Sequence, residues 1–311
     1  MSNSTLKNND KAQAEKNRAA SSSVVAAIFL TSFKIIVGLT TGSLGILAEA
    51  AHSGLDFIGA VVTFIAVRIS GKPPDRDHHF GHGKVENVSA LFVTGLLLAT
   101  CVWIIYEVIQ RLFYKSVEVE PSAWAFIAMI VSIVVDIGRS RVLYRAARKY
   151  NSQALEADGL HFSTDVWSSS VVLLGLVCIL IGKAYPSLAF LEKADAVAAF
   201  IVALIVVYVS IELGIRSVKA LLDTAPPELA DRIMKRVSSL PDIVRCDNIR
   251  ILYSGPNVFV ALTICIAKDL PLSSAHELTD NVEDAVRGIL PGANVSVHAE
   301  PKFKETISDT E

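Results

Sequence analysis

Six long apolar runs follow one another through the first 222 residues, separated by short polar stretches. Their cores are Val24–Leu39, Leu44–Ile69, Val88–Phe113, Trp124–Val142, Phe162–Ile181 and Ala196–Ile215, the fifth beginning near Ser152. Each approaches the roughly 20 residues that a helix needs to cross a bilayer. Thr40–Ser43 reads as a tight glycine-containing turn, Gly71–Lys84 as a longer Pro- and His-rich loop, and Gly182–Asp195, with Pro186, as the link between the last two runs. After Leu222 the pattern changes, and Ala225-Pro226-Pro227 marks the break. Glu228–Ser239 and Ser274–Leu290 read as amphipathic helices, the second with Leu278, Val282 and Val286 at helical spacing. Ile249–Tyr253, Val258–Ala267 and Asn294–His298 read as strands, the first two joined by a Ser254-Gly255-Pro256 turn.

These elements predict an α-helical membrane protein: six transmembrane helices, then a small α+β domain of order αββαβ with its helices on one face of a sheet. The expected divisions are a polar N-terminal tail over 1–23, a membrane domain over 24–222, a soluble domain over 223–301 and a polar tail over 302–311. The composition agrees: 52% hydrophobic and 19% charged residues are too apolar for an ordinary soluble domain. The net charge of −2 decides nothing about partners, and no nucleic-acid partner is expected. Cys101, Cys178, Cys246 and Cys265 lie far apart and form no CxxC; the first two read as small buried hydrophobes. Met1–Ser23 does not read as a secretory signal peptide.

Lys and Arg set the orientation. They gather in the N-terminal segment (Lys7, Lys11, Lys16, Arg18) and between the second and third runs (Arg68, Lys72, Arg76, Lys84). They gather again between the fourth and fifth runs (Arg139, Arg141, Arg145, Arg148, Lys149) and after the sixth (Arg216, Lys219). The remaining connections hold only Arg111, Lys115, Lys183 and Lys193. The positive-inside rule then puts both termini in the cytoplasm.

The chemistry lies in the apolar runs. AEAAHSGLD (Ala48–Asp56) and HFSTD (His161–Asp165) each place a histidine four residues before an aspartate: His52 with Asp56, and His161 with Asp165. On a helix that spacing puts both side chains on one face. Both pairs fall about 8–12 residues from a helix end, or ~12–18 Å, and so near mid-membrane. Two imidazoles and two carboxylates suit tetrahedral Zn²⁺, whose charge the carboxylates balance. In a soluble protein such pairs would be local helix contacts; inside a membrane, ionisable residues mark function because burying them unpaired is costly. Lys34 and Asp136 also need partners: each other, or Arg139 for Asp136. Asp158, one turn before His161, can orient that imidazole or serve as a helix N-terminal carboxylate.

Taken in order, Gly42-Ser43, AEAAHSGLD, HHFGHGKVE (His78–Glu86), ADGLHFSTD (Ala157–Asp165) and LLDTAPP resemble the cation diffusion facilitators over about Val24–Pro301. The resemblance implies a homodimer with a cytoplasmic ferredoxin-like domain, sited in a bacterial inner membrane, that exports divalent metal in exchange for protons by alternating access. It implies a transporter, not an enzyme. His52, Asp56, His161 and Asp165 would be the transport site, with the His/Asp pattern of zinc-transporting members. Cd²⁺, Fe²⁺, Co²⁺ and Mn²⁺ are the other candidate cargoes. Asp75, His78 and His82 would form a loop site near the cytoplasmic mouth, where an incidental polar loop is the plainer reading; His79 has no family role. Lys84 and Asp223 would form a charge interlock, Lys84 otherwise being a solvated lysine.

In the C-terminal domain the positions of the family's binuclear site read Asp247, Thr263, His276, His298 and Glu300. Thr263 and Asp247 replace expected histidines, so a thinner, mononuclear site on Asp247, His276, His298 and Glu300 is expected. Cys246 beside them reads as a buried free thiol or an added thiolate. The alternatives are a ferrous iron or manganese exporter, a metal channel, and a non-transporting metal-sensing membrane scaffold.

Overall fold

The structure is a computed structural model that describes residues 3–113, 123–184 and 191–301. The connections over 114–122 and 185–190, with Pro186, and the tail over 302–311 lie outside the described residues, as does the Cys178 side chain. The chain divides into two units, Met1–Val218 and Lys219–Glu311.

The first unit is helical: α1 (Asn3–Thr41), α2 (Leu44–Ser70), α3 (Lys84–Phe113), α4 (Ala123–Tyr150), α5 (Gln153–Ala184) and α6 (Leu191–Leu221), whose last turn runs into the second unit. Among the described residues, four stretches are long and apolar enough to cross a membrane: Asp10–Thr41, Glu49–Ser70, Lys84–Trp103 and Phe200–Leu221. α4 carries Asp136, Arg139 and Arg141 within its length, which lowers its apolar character.

α1 does not begin at the apolar run. It extends through the polar segment read as a tail and docks it on the bundle. Gln13 Nε2 donates to Val67 O in the last turn of α2 at 2.6 Å, a carbonyl that also lies 2.9 Å from Ser70 Oγ of the same turn. Gly71 permits this approach: a Cβ there would lie 2.4 Å from Gln13 Cδ. At the opposite end of α2, Gly42 takes φ +66° in the turn and Ser43 caps the helix, its Oγ accepting from Ile46 N. Between α4 and α5, Asn151 adopts φ 50° and the Ser152 Oγ accepts from Leu155 N at 3.4 Å to start α5.

Ala19, Ala20, Ala27, Ala60, Ala146 and Ala154 surround the buried Val67, Leu143, Leu155 and Phe162. Small side chains let α1, α2, α4 and α5 approach closely. α3 and α6 join this group through Ala90, Val93, Ala157 and Leu213, and through Leu97, Cys101 and Val206. The outer surface is apolar, with Leu39, Val102, Trp103, Val134 and Tyr208 exposed. A belt of that kind suits contact with lipid rather than water.

The second unit comprises α7 (Pro227–Ser238), β1 (Ile243–Ser254), β2 (Asn257–Ile266), α8 (Leu272–Ile289) and β3 (Asn294–Pro301). The sheet order is β1-β2-β3. β1 and β2 pair antiparallel across a Gly255-Pro256 turn, and β2 and β3 pair parallel, joined through α8. β1 starts six residues before the expected Ile249. A register shift between Asp247 and Arg250, with Asn248 at φ 51°, breaks the alternation there, as a β-bulge does. Ile233 and Val237 of α7, with Val282 and Val286 of α8, cover Val260, Leu262, Ile264 and Ile266.

This core gives a direct contrast. Ile233 is fully buried while its neighbour Met234 is 43% exposed. Ile233→Ala is expected to destabilise this unit by about 2–5 kcal/mol, and Met234→Ala by under about 0.5 kcal/mol. Thermal unfolding of the two variants checks this; equal midpoints would contradict the assigned core.

Candidate metal centre

α2 and α5 bring three of the four expected ligands together. Donor atoms of Asp56, His161 and Asp165 lie within 4.8 Å of one another. His161 Nε2 is 2.9 Å from Asp56 Oδ1 and 3.7 Å from Asp165 Oδ2. His52 stands at the edge of the group, its Nε2 3.9 Å from Asp56 Oδ1, with about a third of its side chain exposed. The i, i+4 spacing orients each pair, and the packing of α2 against α5 brings the pairs face to face. His161 Nε2 and Asp56 Oδ1 are 2.9 Å apart, a hydrogen-bond distance, and such a bond takes one proton between ring nitrogen and carboxylate. A cation that takes the Nε2 lone pair must displace that proton. Two buried polar atoms of the group have no hydrogen-bond partner, Asp165 Oδ2 and His161 Nδ1. Leaving a buried carboxylate oxygen without a donor is unfavourable, and a divalent cation bound there would remove that cost.

Other polar side chains pack close by on α1, α4 and α5. Arg139 Nη1 donates to Asp136 Oδ1 at 3.1 Å and Nη2 to Ser23 Oγ at 3.2 Å. Ser23 Oγ donates in turn to Asp158 Oδ2 at 3.1 Å. The Arg139 guanidinium lies 3.3 Å from the centre of the Phe162 ring, and that ring meets the His161 ring edge-on at 5.3 Å. Asp136 therefore takes the Arg139 alternative. The Lys34–Asp136 pair is not formed: Lys34 Nζ donates to Glu49 Oε2 at 3.2 Å and Ser53 Oγ at 2.8 Å. Asp158 does not orient His161 directly, since Asp158 Oδ1 and His161 Nδ1 are both without partners. Ser23 carries no signal in the sequence, and Glu49 and Ser53 stand in AEAAHSGLD without an assigned role; their polar side chains gain meaning only once it is known which helices touch.

The loop before α3 forms a second group. Donor atoms of Asp75, His78 and His82 also lie within 4.8 Å of one another. His78 Nδ1 is 3.0 Å from Asp75 Oδ1, and His82 Nε2 is 3.3 Å from Asp75 Oδ2. Gly81, at φ +75°, turns the chain so that the His78 and His82 rings meet with centroids 4.2 Å apart. His82 Nδ1 is buried without a partner. Asp75 Oδ1 also accepts from the backbone N–H of His78 at 2.7 Å and of Asp77 at 3.0 Å. The His78 backbone bond above all, with the His78 side chain adding to it, holds the Asp75 carboxyl below its usual range. His79 is outside the group.

The C-terminal positions are not assembled in the same way. Among the described residues no metal-capable group includes Asp247, His276, His298 or Glu300. The register sets Thr263 opposite Asp247 on one side and His298 on the other. Asp247 and His298 thus share a row but stand two strands apart, about 9.5 Å at the usual strand spacing. Asp247 Oδ2 instead pairs with Arg245 Nε at 2.5 Å, His298 Nε2 lies 3.5 Å from Glu300 Oε1, and His276 is exposed on α8. Cys246 is a buried free thiol whose pKa is raised by burial and then by Asp247. Lys84 opens α3, and Asp223, at φ 58°, follows α6; each has an interaction partner.

Over residues 21–222 the chain matches the model of the cation efflux transmembrane domain, and over 225–302 that of the cation efflux protein cytoplasmic domain. Proteins named cation-efflux pump FieF from Shigella boydii and Citrobacter koseri are 30% identical to it over 286 residues, 92% of this chain and 92% of each relative. A structure of CzrB, described as a candidate zinc transporter, is 26% identical and covers 25% of this chain and 99% of its own, with a TM-score of 0.25. A nickel form of MamM CTD is 20% identical, covers 25% and 100%, and has a TM-score of 0.24. Structural likenesses this slight say nothing of the metal that this chain carries.

The Asp75 hydrogen bonds carry a pH signature. The folded loop depresses this pKa, so the carboxylate's contribution to loop order is full above the ordinary value of 3.8 and is lost as pH falls through the lowered folded value. Amide-exchange protection at Asp77 and His78 is expected to stay constant from neutral pH down to 3.8 and to fall as pH drops further, through the lowered folded value. Loss of protection between about pH 7 and 5, where imidazoles titrate, would point to the histidines instead.

Proposed function

The chain is a member of the cation diffusion facilitator family of membrane transporters, and from that premise we propose that it exports divalent cations, Zn²⁺ foremost, in exchange for protons. The observation that carries this reading is the 2.9 Å contact between His161 Nε2 and Asp56 Oδ1, inside a group that also contains a buried carboxylate oxygen without a hydrogen-bond donor. Metal and proton compete for the same nitrogen lone pair. With the site open to the cytoplasm, Zn²⁺ replaces the proton; with it open outward, protons displace the metal; the protonated carrier then returns. His52 closes the tetrahedron by moving in from the edge. Asp75, His78 and His82 form a cation-capturing group on the loop between α2 and α3.

On this reading all six helices of the first unit span the membrane, both termini face the cytoplasm, and the second unit is a ferredoxin-like domain through which a homodimer forms. The separated C-terminal positions argue for at most weak metal binding by Asp247, His276, His298 and Glu300 within one subunit.

A second reading within the class rests on the three nearest donors, two oxygens and one nitrogen. Such a set, with His52 withdrawn, admits harder cations such as Fe²⁺ or Mn²⁺.

Uptake by proteoliposomes across a metal series, with and without a pH gradient, tests both readings. The expected result is uptake led by Zn²⁺ and accelerated by an opposing proton gradient. Flux independent of that gradient would fit a channel, and no flux a scaffold; uptake led by Fe²⁺ or Mn²⁺ would favour the second reading. Asp165→Ala is expected to abolish flux in a folded, membrane-inserted protein, because it removes a ligand and unbalances the metal's charge; near-normal flux would remove the quartet from the account. His52→Asp is expected to keep transport and weaken discrimination against Cd²⁺, Mn²⁺ and Fe²⁺ in competition assays; an unchanged preference would show that His52 does not set it.

A further inference from the structure

Glu86 belongs to neither ligand group, yet its side chain is fully buried in the first turn of α3. Its Oε1 accepts from Lys16 Nζ on α1 at 2.9 Å and from Ser70 Oγ, the last residue of α2, at 2.7 Å. Its Oε2 accepts from Ser152 Oγ, the hydroxyl that caps α5. One carboxylate on α3 thus receives donors from α1, from the end of α2 and from the start of α5.

α2 and α5 are the helices that carry the two HxxxD pairs. From Ser70 back to Asp56 is about 21 Å of helix, and from Ser152 on to Asp165 about 20 Å. The two helices form the long sides of a frame. Glu86 closes one end, and the Asp56–His161 contact closes the other. Helices transmit displacement as stiff rods, so the spacing set at Glu86 bears on the spacing of the ligands.

The chemistry favours a carboxylate. The Lys16 ammonium has only donors, each serine hydroxyl can turn its proton toward the carboxylate, and an ionised carboxylate can accept all three, although Ser70 Oγ also lies 2.9 Å from Val67 O. Glutamine presents a single acceptor oxygen and no charge for Lys16, and a hydroxyl can meet its NH₂ group only by turning from donor to acceptor. Lys16 supplies the charge that two neutral serines cannot, which explains why the polar first half of α1 is folded onto the bundle.

We propose that Glu86 is a positioning residue for the ion site, fixing the separation of α2 from α5 so that Asp56, His161 and Asp165 meet at coordinating distance. The inference rests on the reading of the quartet as the transport site.

The test is Zn²⁺ uptake by the full-length protein in proteoliposomes over a range of concentrations, with rates normalised to folded protein. Glu86→Gln is expected to raise the half-saturating Zn²⁺ concentration about 10- to 100-fold, the range seen when groups that orient metal ligands are removed, with a smaller effect on maximal rate. Ser70→Ala combined with Ser152→Ala keeps the Lys16–Glu86 pair. It is expected to shift half-saturation in the same direction, and it decides the matter if Glu86→Gln does not fold. Glu86→Asp, which restores the charge with a shorter reach, is expected to fall between wild type and Glu86→Gln. Unchanged half-saturation in the serine double variant, or a loss confined to maximal rate, overturns the proposal. Asp165→Ala separates the two claims. If it abolishes uptake while Glu86→Gln leaves half-saturation unchanged, only the positioning role fails. If it transports normally, the quartet reading fails first.

Discussion

A charge taken out of water between apolar helices has to be compensated by the protein, and that constraint organises the membrane unit. The unpaired cost is several kcal/mol, more than most single packing contacts return. Lys34 meets it with Glu49 and Ser53, Arg139 with Asp136 and Ser23, and Lys16 with Glu86. Each solution joins elements that a hydrophobic core alone would leave free to slide. The ion site follows the same rule incompletely: Asp56 and His161 satisfy each other, while Asp165 keeps a buried oxygen without a donor. A site compensated throughout would have little to gain from a metal. One left short by a carboxylate oxygen gains from a divalent cation and from a proton, and on the proposed reading that competition drives the exchange.

The same constraint explains the difference between the two ligand groups. Asp75 is exposed and held by backbone N–H groups, so water and the loop itself stabilise its charge without a metal. On the proposed reading, its affinity for a cation is set by geometry that Gly81 and the loop impose, and exchange with solvent is open. Asp56 and Asp165 are shielded between helices, where the Coulomb attraction for a cation is strong and the cost of leaving is correspondingly high. Release from such a site needs a competitor. On the proposed reading, the proton of the His161–Asp56 hydrogen bond is that competitor.

Much of this is legible in the sequence because periodicity and local spacing record it. HxxxD on a helix fixes a shared face, and the structure sets Asp56, His161 and Asp165 together across α2 and α5. DxxHxxxH within one loop needs only a turn at Gly81 to close. The αββαβ order after Leu222 follows from the switch between helical and alternating patterns, and all five elements are present. What is not legible depends on tertiary contact. Glu86 reads as part of a motif, and only the packing of α1, α2 and α5 reveals its three donors. The segment before Val24 reads as a polar tail because Gln13 and Lys16 look solvated until their partners on α2 and α3 are known. β1 reads too short because Arg245, Asp247 and Asn248 at a bulge break the alternation that marks a strand. The C-terminal ligand set is matched by position alone, and the strand register then places Asp247 and His298 two strands apart.

The central claim is that Zn²⁺ binds between α2 and α5 on His161 Nε2 and the carboxylate oxygens of Asp56 and Asp165. Anomalous diffraction at the zinc edge from crystals of the full-length protein tests it most directly. The account predicts a peak between the two helices, about 2.0–2.2 Å from His161 Nε2 and from oxygens of Asp56 and Asp165, with His52 drawn in as the fourth ligand. Zinc found only at Asp75, His78 and His82, with the Asp56–His161 contact intact, would contradict it.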